Sequence, residues 1–247
     1  MTKPKILIMD IESLPNKGYF WNIFDDRGLP LVFVEQPKAV ITISYKWHGD
    51  KKVTTLYADT PYDDAAILEK YAKVHAEADY VVGHFIEGFD VPYVSARLFA
   101  NRLPPLSPVA MIDTYKLAKK HFGKTLNSNK LDHLGTILGV GNKTSTSAQL
   151  WVDCANGSKK AIKEMGAYNK QDVLLLEKIY DKLLPYTQSK INRNLFSDGE
   201  MVCDSCGSHK VQKRGVSVTK ATKKQKYQCQ DCGHWFTKKY EKETKNA

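Results

Sequence analysis

The sequence has no long apolar stretch; its apolar runs stop at four residues, as at Ile6–Met9. A bilayer-crossing helix needs about 20, so no membrane helix is expected. The opening Met1-Thr2-Lys3-Pro4-Lys5 leads into a short apolar run and then an acid, without the longer apolar core of a secretion signal, and a cytoplasmic chain is expected. Cysteine is scarce: of five, only Cys154 precedes residue 203, which leaves no disulfide framework for most of the chain. No internal repeat or low-complexity tract appears. Negative charge is also short, with 27 Asp+Glu against 37 Lys+Arg and a formal net charge of +10. What is present is an ordinary folding complement, 42% hydrophobic and 11% aromatic, enough apolar surface to offset chain entropy.

The basic excess is uneven. From Glu200 onward eleven Lys/Arg face five Asp/Glu, and Cys203, Cys206, Cys229 and Cys232 all lie there. A basic, cysteine-rich tail on a nearly balanced body implies two domains with different work: a body over residues 1–188, a linker over 189–199 and a small domain over 200–247. Such a charge excess points to a polyanion partner, most often nucleic acid.

The body reads as alternating strands and helices. Residues 5–10 form a short buried strand. Val40–Trp47 alternates apolar and polar, and after the turn signal His48-Gly49-Asp50 the stretch 52–57 forms its hairpin partner. Helical spacing covers 61–78, and Tyr80-Val81-Val82-Gly83 is a buried strand. Phe89–Ala100 is a helix that tolerates Pro92 in its first turn. Strand 110–112 leads into a helix over 114–122. Asn129 is expected to cap a helix over 130–138 that stops near Gly139. A long helix runs from Ser158 to Leu183. This order gives an α/β fold with a mixed sheet.

Acids stand at chemically suggestive places. Asp10 and Glu12, at i and i+2 on an extended chain, point to one side. Two carboxylates there repel unless a cation lies between them, and hard oxygen ligands suit Mg²⁺ or Mn²⁺; the same pattern is also common at ordinary strand ends and turns. Asp90 opens a helix after a glycine-containing loop, where an acid also complements the helix dipole. Tyr168 and Asp172 are four apart on one helical face. Asp113 reads as a strand-end or capping acid.

Taken together, Asp10 and Glu12, then Asp90 in Gly83-His84-Phe85-Ile86-Glu87-Gly88-Phe89-Asp90, then Tyr168-Asn169-Lys170-Gln171-Asp172, resemble the DEDD family of 3′–5′ exonucleases, which have a ribonuclease H-like fold. Tyr168, four before Asp172, resembles the DEDDy branch; the DEDDh branch would carry a histidine at position 167, which is Ala167. The run from Met165 to Glu177 also resembles exonucleases of this fold expected in phages and bacteria. Phe85 departs from the family pattern, which often has asparagine there.

The resemblance implies two divalent ions, Mg²⁺ or Mn²⁺, held by Asp10, Glu12, Asp90 and Asp172, with Asp10 bridging. It implies a Tyr168 hydroxyl that orients the attacking water, since a phenol with a pKa of about 10 is a poor base. The implied product is a nucleoside 5′-monophosphate, with single-stranded 3′ ends, DNA favoured, as substrate. A structure-specific endonuclease of the same fold and a non-catalytic nucleic-acid-binding adaptor are the alternatives. Tyr19, Phe20 and Trp21, just after the first acids, could stack terminal bases or pack under a loop.

In the tail, Cys203-x-x-Cys206-Gly207 and Cys229-x-x-Cys232-Gly233 are paired knuckles suited to one tetrahedral, structural Zn²⁺. The 22 residues between them form a basic, hairpin-like stretch. His209 and His234 are spare donors beside a complete set of four sulfurs. The tail resembles a zinc ribbon, and its ending resembles transposase-type DNA-binding ribbons. It is expected to grip phosphate backbone without reading sequence; a protein partner is the competing use.

Overall fold

A computed structural model describes residues 3–21, 30–142, 146–187, 191, 193–197 and 199–240. Residue 188 of the expected body, parts of the expected linker (189–190, 192, 198) and the end of the tail (241–247) lie outside the described residues. In chain order the elements are β1 (Ile6–Ser13), β2 (Lys17–Gly18), β3 (Val34–Gln36), β4 (Val40–Trp47), β5 (Thr54–Tyr57), α1 (Ala65–Ala76), β6 (Tyr80–Gly83), α2 (Asp90–Ala100), β7 (Ala110–Asp113), α3 (Thr114–Phe122), α4 (Leu131–Leu138), α5 (Ala148–Ala155) and α6 (Lys159–Leu183). In the tail β8 (Val211–Val218), β9 (Lys223–Cys229) and β10 (Trp235–Lys239) follow. By compactness the chain divides into residues 5–179 and residues 180–247 with 1–4. Among the described residues no helix is long and apolar enough to cross a membrane.

The first unit is an α/β domain built on a five-stranded sheet in the order β5-β4-β1-β6-β7. β4 runs antiparallel to β1 and β5, while β6 runs parallel to β1 and β7. β1 is thus central and, as the residues Ile-Leu-Ile-Met imply, buried on both faces. Leu7, Met9 and Ile11 join Ile41, Ile43 and the α1 residues Ile67, Leu68 and Tyr71 in one core. The opposite face of β1 and β4 presents Asp10, Thr42, Ser44 and Lys46. Alternation in β4 suggests a solvated polar side, yet Thr42, Ser44 and Lys46 are buried. Their partners are on α6 and β5: Thr42 Oγ1 donates to Asn169 Oδ1 at 3.2 Å, Lys46 pairs with Glu177, and Ser44 shares a hydrogen bond with Thr55.

The opposite side is fastened by Asp64, which sequence reading did not single out. Its fully buried carboxylate accepts from Val40 N at 2.9 Å, from Arg97 Nε at 2.7 Å and Nη2 at 3.0 Å, and from Asn101 Nδ2 at 2.8 Å. One side chain thereby ties the start of β4 to α2, the helix that opens with Asp90. Hydrogen bonds donated to the Asp64 carboxylate hold the Arg97 guanidinium even more firmly charged than usual.

Two expectations change. β1 continues through the acids to Ser13 rather than ending at Asp10, with a bulge in its pairing to β4 just past Glu12. Asn129 does not cap α4. Lys130 occupies the cap position, and Asn129 Nδ2 donates to Gly123 O at 3.0 Å. α5 and the β2–β3 pair are additions. Removing one member of a buried ion pair leaves the other charge stranded, so Asp64→Ala is expected to cost about 3–5 kcal/mol of unfolding free energy, measured by urea denaturation; a loss below about 1 kcal/mol would show the network to be dispensable.

Candidate active site and metal centres

β1 supplies Asp10 and Glu12, and α6, crossing the polar side of the sheet, supplies Asp172. One carboxylate oxygen from each lies within 4.8 Å of the others, although about 160 residues of chain separate the strand from the helix. Asp172 is buried, and Asp10 and Glu12 are half-buried. At an effective dielectric near 20, two such charges 4 Å apart repel by about 4 kcal/mol. A cluster of hard oxygen donors of this kind could hold Mg²⁺ or Mn²⁺.

Asp90 stands beside this group rather than in it. It is buried at the start of α2, and its Oδ1 accepts from Ile11 N at 3.2 Å. Ile11 is the residue between Asp10 and Glu12, so the carboxylate is aimed at the same stretch of β1. Tyr168, one turn before Asp172, is half-buried with its ring edge-on to Trp151 at 6.4 Å.

Asn169 was missed in the sequence. It is fully buried, its Nδ2 donates to Asp10 Oδ2 at 2.7 Å, and its Oδ1 accepts from Thr42. The amide therefore fixes Asp10 against both α6 and β4. Asparagine next to Tyr168 carries no signature of its own, and only the tertiary contact reveals its task. Tyr19, Phe20 and Trp21 are exposed at 68%, 64% and 88% and so do not pack beneath a loop. Asp113 caps α3 as read, accepting from Lys116 N at 3.1 Å.

Residues 33–184 match the sequence profile of the RNase H superfamily. The chain belongs to the RNase H superfamily. The profile match begins after β1, so Asp10 and Glu12 connect to the superfamily domain through the sheet itself, in which β1 is the middle strand. No curated protein matches the chain. Among solved structures, the family B DNA polymerase from the hyperthermophilic archaeon Pyrobaculum calidifontis is similar, with a TM-score of 0.53 and 18% identity over 75% of this chain and 26% of that one. The superfamily chain thus spans about a quarter of the polymerase, and the likeness is one of fold.

The tail unit gathers its four cysteines. Their sulfurs lie within 4.8 Å of one another, with Cys203–Cys232 at 3.8 Å and Cys206–Cys229 at 3.6 Å. Zn–S bonds of about 2.3 Å in a tetrahedron space sulfurs about 3.8 Å apart, so the set fits a zinc ribbon. Gly207 and Gly233 take φ of 79° and 77°, the left-handed turn that lets each knuckle fold back. Burial pushes the Cys232 thiol up to about 11, and the neighbouring Cys206 and burial push Cys203 up as well. The thiolate forms of Cys203 and Cys232 are therefore disfavoured here without a cation. His234 stands outside the cluster, between Pro185 O at 3.0 Å and Asp204 Oδ1 at 3.2 Å, and the Asp204 carboxylate raises its pKa. His209 pairs with Glu200.

Two outcomes are expected. Asn169→Ala should weaken divalent-ion binding about 10-fold, the usual cost of losing a residue that orients a ligand, by calorimetric titration with Mn²⁺; unchanged affinity would remove Asn169 from the site. Purified protein should carry one zinc by elemental analysis, and because the thiols must lose protons to bind it, zinc should be released as pH falls. A metal content independent of pH between neutrality and mild acid would contradict a four-thiolate site.

Proposed function

We propose that this RNase H superfamily chain is a 3′–5′ exonuclease that trims single-stranded ends, DNA favoured, to nucleoside 5′-monophosphates, with a nuclease domain over 1–188 and a zinc ribbon over 200–247. One observation carries the reading: the oxygens of Asp10, Glu12 and Asp172 converge within 4.8 Å, in a fold shared with nucleases. Superfamily membership and the resemblance to a DNA polymerase fold support a nucleic-acid substrate.

Asp10, Glu12 and Asp172, joined by Asp90 from beside β1, would hold two divalent ions. Such ions, when bound, supply a water made acidic enough to attack phosphorus and stabilisation of the leaving 3′-oxygen. The protein's share is positional. Asn169 holds Asp10, the Ile11 amide holds Asp90, and the rigid α6 helix fixes Tyr168 relative to Asp172. Tyr168 orients the attacking water through its hydroxyl, since positioning suits a phenol better than proton abstraction does. In the ribbon, Trp235 and Lys226 and Lys239 share one sheet face by register, with Trp235 53% exposed; a stacking ring among cations is suited to an extended strand.

Asp10→Ala and Asp172→Ala should each abolish Mn²⁺-dependent release of mononucleotides from a 5′-labelled oligonucleotide while the protein stays folded. Tyr168→Phe should slow the reaction, with metal affinity little changed. Wild-type rates in Asp172→Ala would sink the assignment. Cleavage of circular single strands as fast as linear ones would move the reading to an endonuclease, and no turnover with either ion would leave a binding adaptor.

A further inference from the structure

At the edge of the sheet where β6 and β7 end, a cleft of about 430 Å³ is lined by His84, Phe85, Tyr115, Lys130, Leu131 and Asp132. Phe85 dominates it and is unusual in two ways. Its φ is +66°, a left-handed conformation disfavoured for any residue with a β-carbon and especially for a bulky one, and the ring is nevertheless 45% exposed. Burial therefore does not explain why the chain adopts this backbone.

Several groups enforce it. The buried Asp113 carboxylate accepts from Phe85 N at 3.0 Å and from Glu87 N at 3.3 Å, and Phe85 O accepts from Gly88 N at 3.0 Å and Phe89 N at 2.9 Å. A β-carbon at Gly88 would lie 2.4 Å from the Phe85 ring, so only glycine permits this packing. The ring stands edge-on to Tyr115 at 5.4 Å, and Tyr115 in turn meets His84 at 5.7 Å. Thr114 Oγ1 gives its hydrogen to Gly83 O, so it accepts from His84 Nδ1 at 2.9 Å, which fixes that imidazole in the wall. The result is a rigid aromatic surface open to solvent.

Its surroundings are cationic. Lys119 lies 5.9 Å from the Tyr115 ring centre, Lys130 lines the cleft, and both are exposed. The nearby Glu87 is neutralised by Lys116 at 2.6 Å. Asp132, the acid of the lining, would repel a phosphate within the cleft but can accept from a base amino or imino group. Aromatic faces inside and lysines outside match a nucleobase flanked by its phosphates. Register sets the location: Ile8 of β1 pairs with Val82 of β6, which pairs with Ile112 of β7. Asp10, Phe85 and Tyr115 therefore emerge from the same edge of three parallel strands, the cleft about two strand spacings, or roughly 10 Å, from the acids.

We propose that the Phe85–Tyr115 cleft receives an unpaired base of the nucleic-acid strand whose end lies at the acids, and so selects single-stranded substrate. The inference rests on the nuclease reading and adds a specificity site to it. The test is equilibrium binding, without added divalent ion, of single-stranded DNA and RNA oligonucleotides carrying the fluorescent base 2-aminopurine at successive positions from the 3′ end. A change in emission on binding is expected at one internal position. Phe85→Ala and Tyr115→Ala should abolish that change and weaken affinity about 10-fold, the loss of one stacked base, while Phe85→Trp should preserve both. Equal signals and affinities in wild type, Phe85→Ala and Tyr115→Ala would overturn the proposal, as would failure of the wild-type protein to bind either strand. Binding through Phe85 with no hydrolysis on adding Mn²⁺ would uphold the cleft and sink the exonuclease reading, whereas hydrolysis with an unresponsive Phe85 would do the reverse.

Discussion

Three carboxylate oxygens do not stay within 4.8 Å of one another by preference. Their mutual repulsion must be offset by structure, and the fold of the first unit can be understood from that requirement. Two of the acids are locked into β1, the middle strand, at positions paired with β4, where neither can retreat without breaking ladder hydrogen bonds. The third is delivered by α6, which is fastened to the sheet at two levels, by Asn169 to Thr42 and Asp10 and by Glu177 to Lys46. The apolar residues Val173, Leu176 and Ile179 are buried along the same helix. Hydrophobic burial supplies most of the free energy that seats α6, and the polar ties set its register. On the far side, Asp64 binds β4 to α2 and so fixes where Asp90 begins.

This division of labour explains what was legible in the amino-acid order. Val40–Trp47 and Tyr80–Gly83 were recognisable because alternation and β-branched residues act locally. The acids were recognisable because carboxylates at strand ends and helix starts are informative in combination. Asn169, Thr42 and Asp64 were not. Each is an ordinary polar residue whose value comes from partners between 24 and 159 positions away, and no local pattern records such a contact. Asn129 misled for a related reason: asparagine favours helix caps, where its Oδ1 accepts from a backbone amide, but Lys130 takes the cap position and Asn129 instead donates through Nδ2 to Gly123 O. The eight-residue helix α5 begins without a side-chain cap bond, so little in its sequence announces it.

The tail poses the opposite physical problem. Among its described residues the buried cluster holds little beyond Cys203, Cys229 and Phe236, with Tyr227 stacked on Phe236 at 5.4 Å. A cluster of that size is one that a bound metal would reinforce. Ser205 Oγ donates to Leu184 O at 2.9 Å and His234 reaches Pro185 O, so Leu184 and Pro185 pack within this unit. Cysteine spacing made the four-sulfur cluster readable in advance, because the spacing that suits a tetrahedral ion is largely independent of the surrounding sequence.

Phe85 holds a backbone conformation that is unusual for so large a side chain. A bulky residue without such support would be expected to relax into an allowed backbone region or to be buried. Instead the chain keeps a left-handed bulky residue, dedicates both oxygens of buried Asp113 to the loop, and retains glycine at position 88 where any side chain would strike the ring. Asp113 also caps α3, the helix that carries Lys116, Lys119 and Lys120. One carboxylate therefore couples the pose of an exposed aromatic ring to the start of a basic helix. Strain held in place by so many independent contacts persists where the surroundings over-determine it, and the ring stands on the strand edge shared with Asp10.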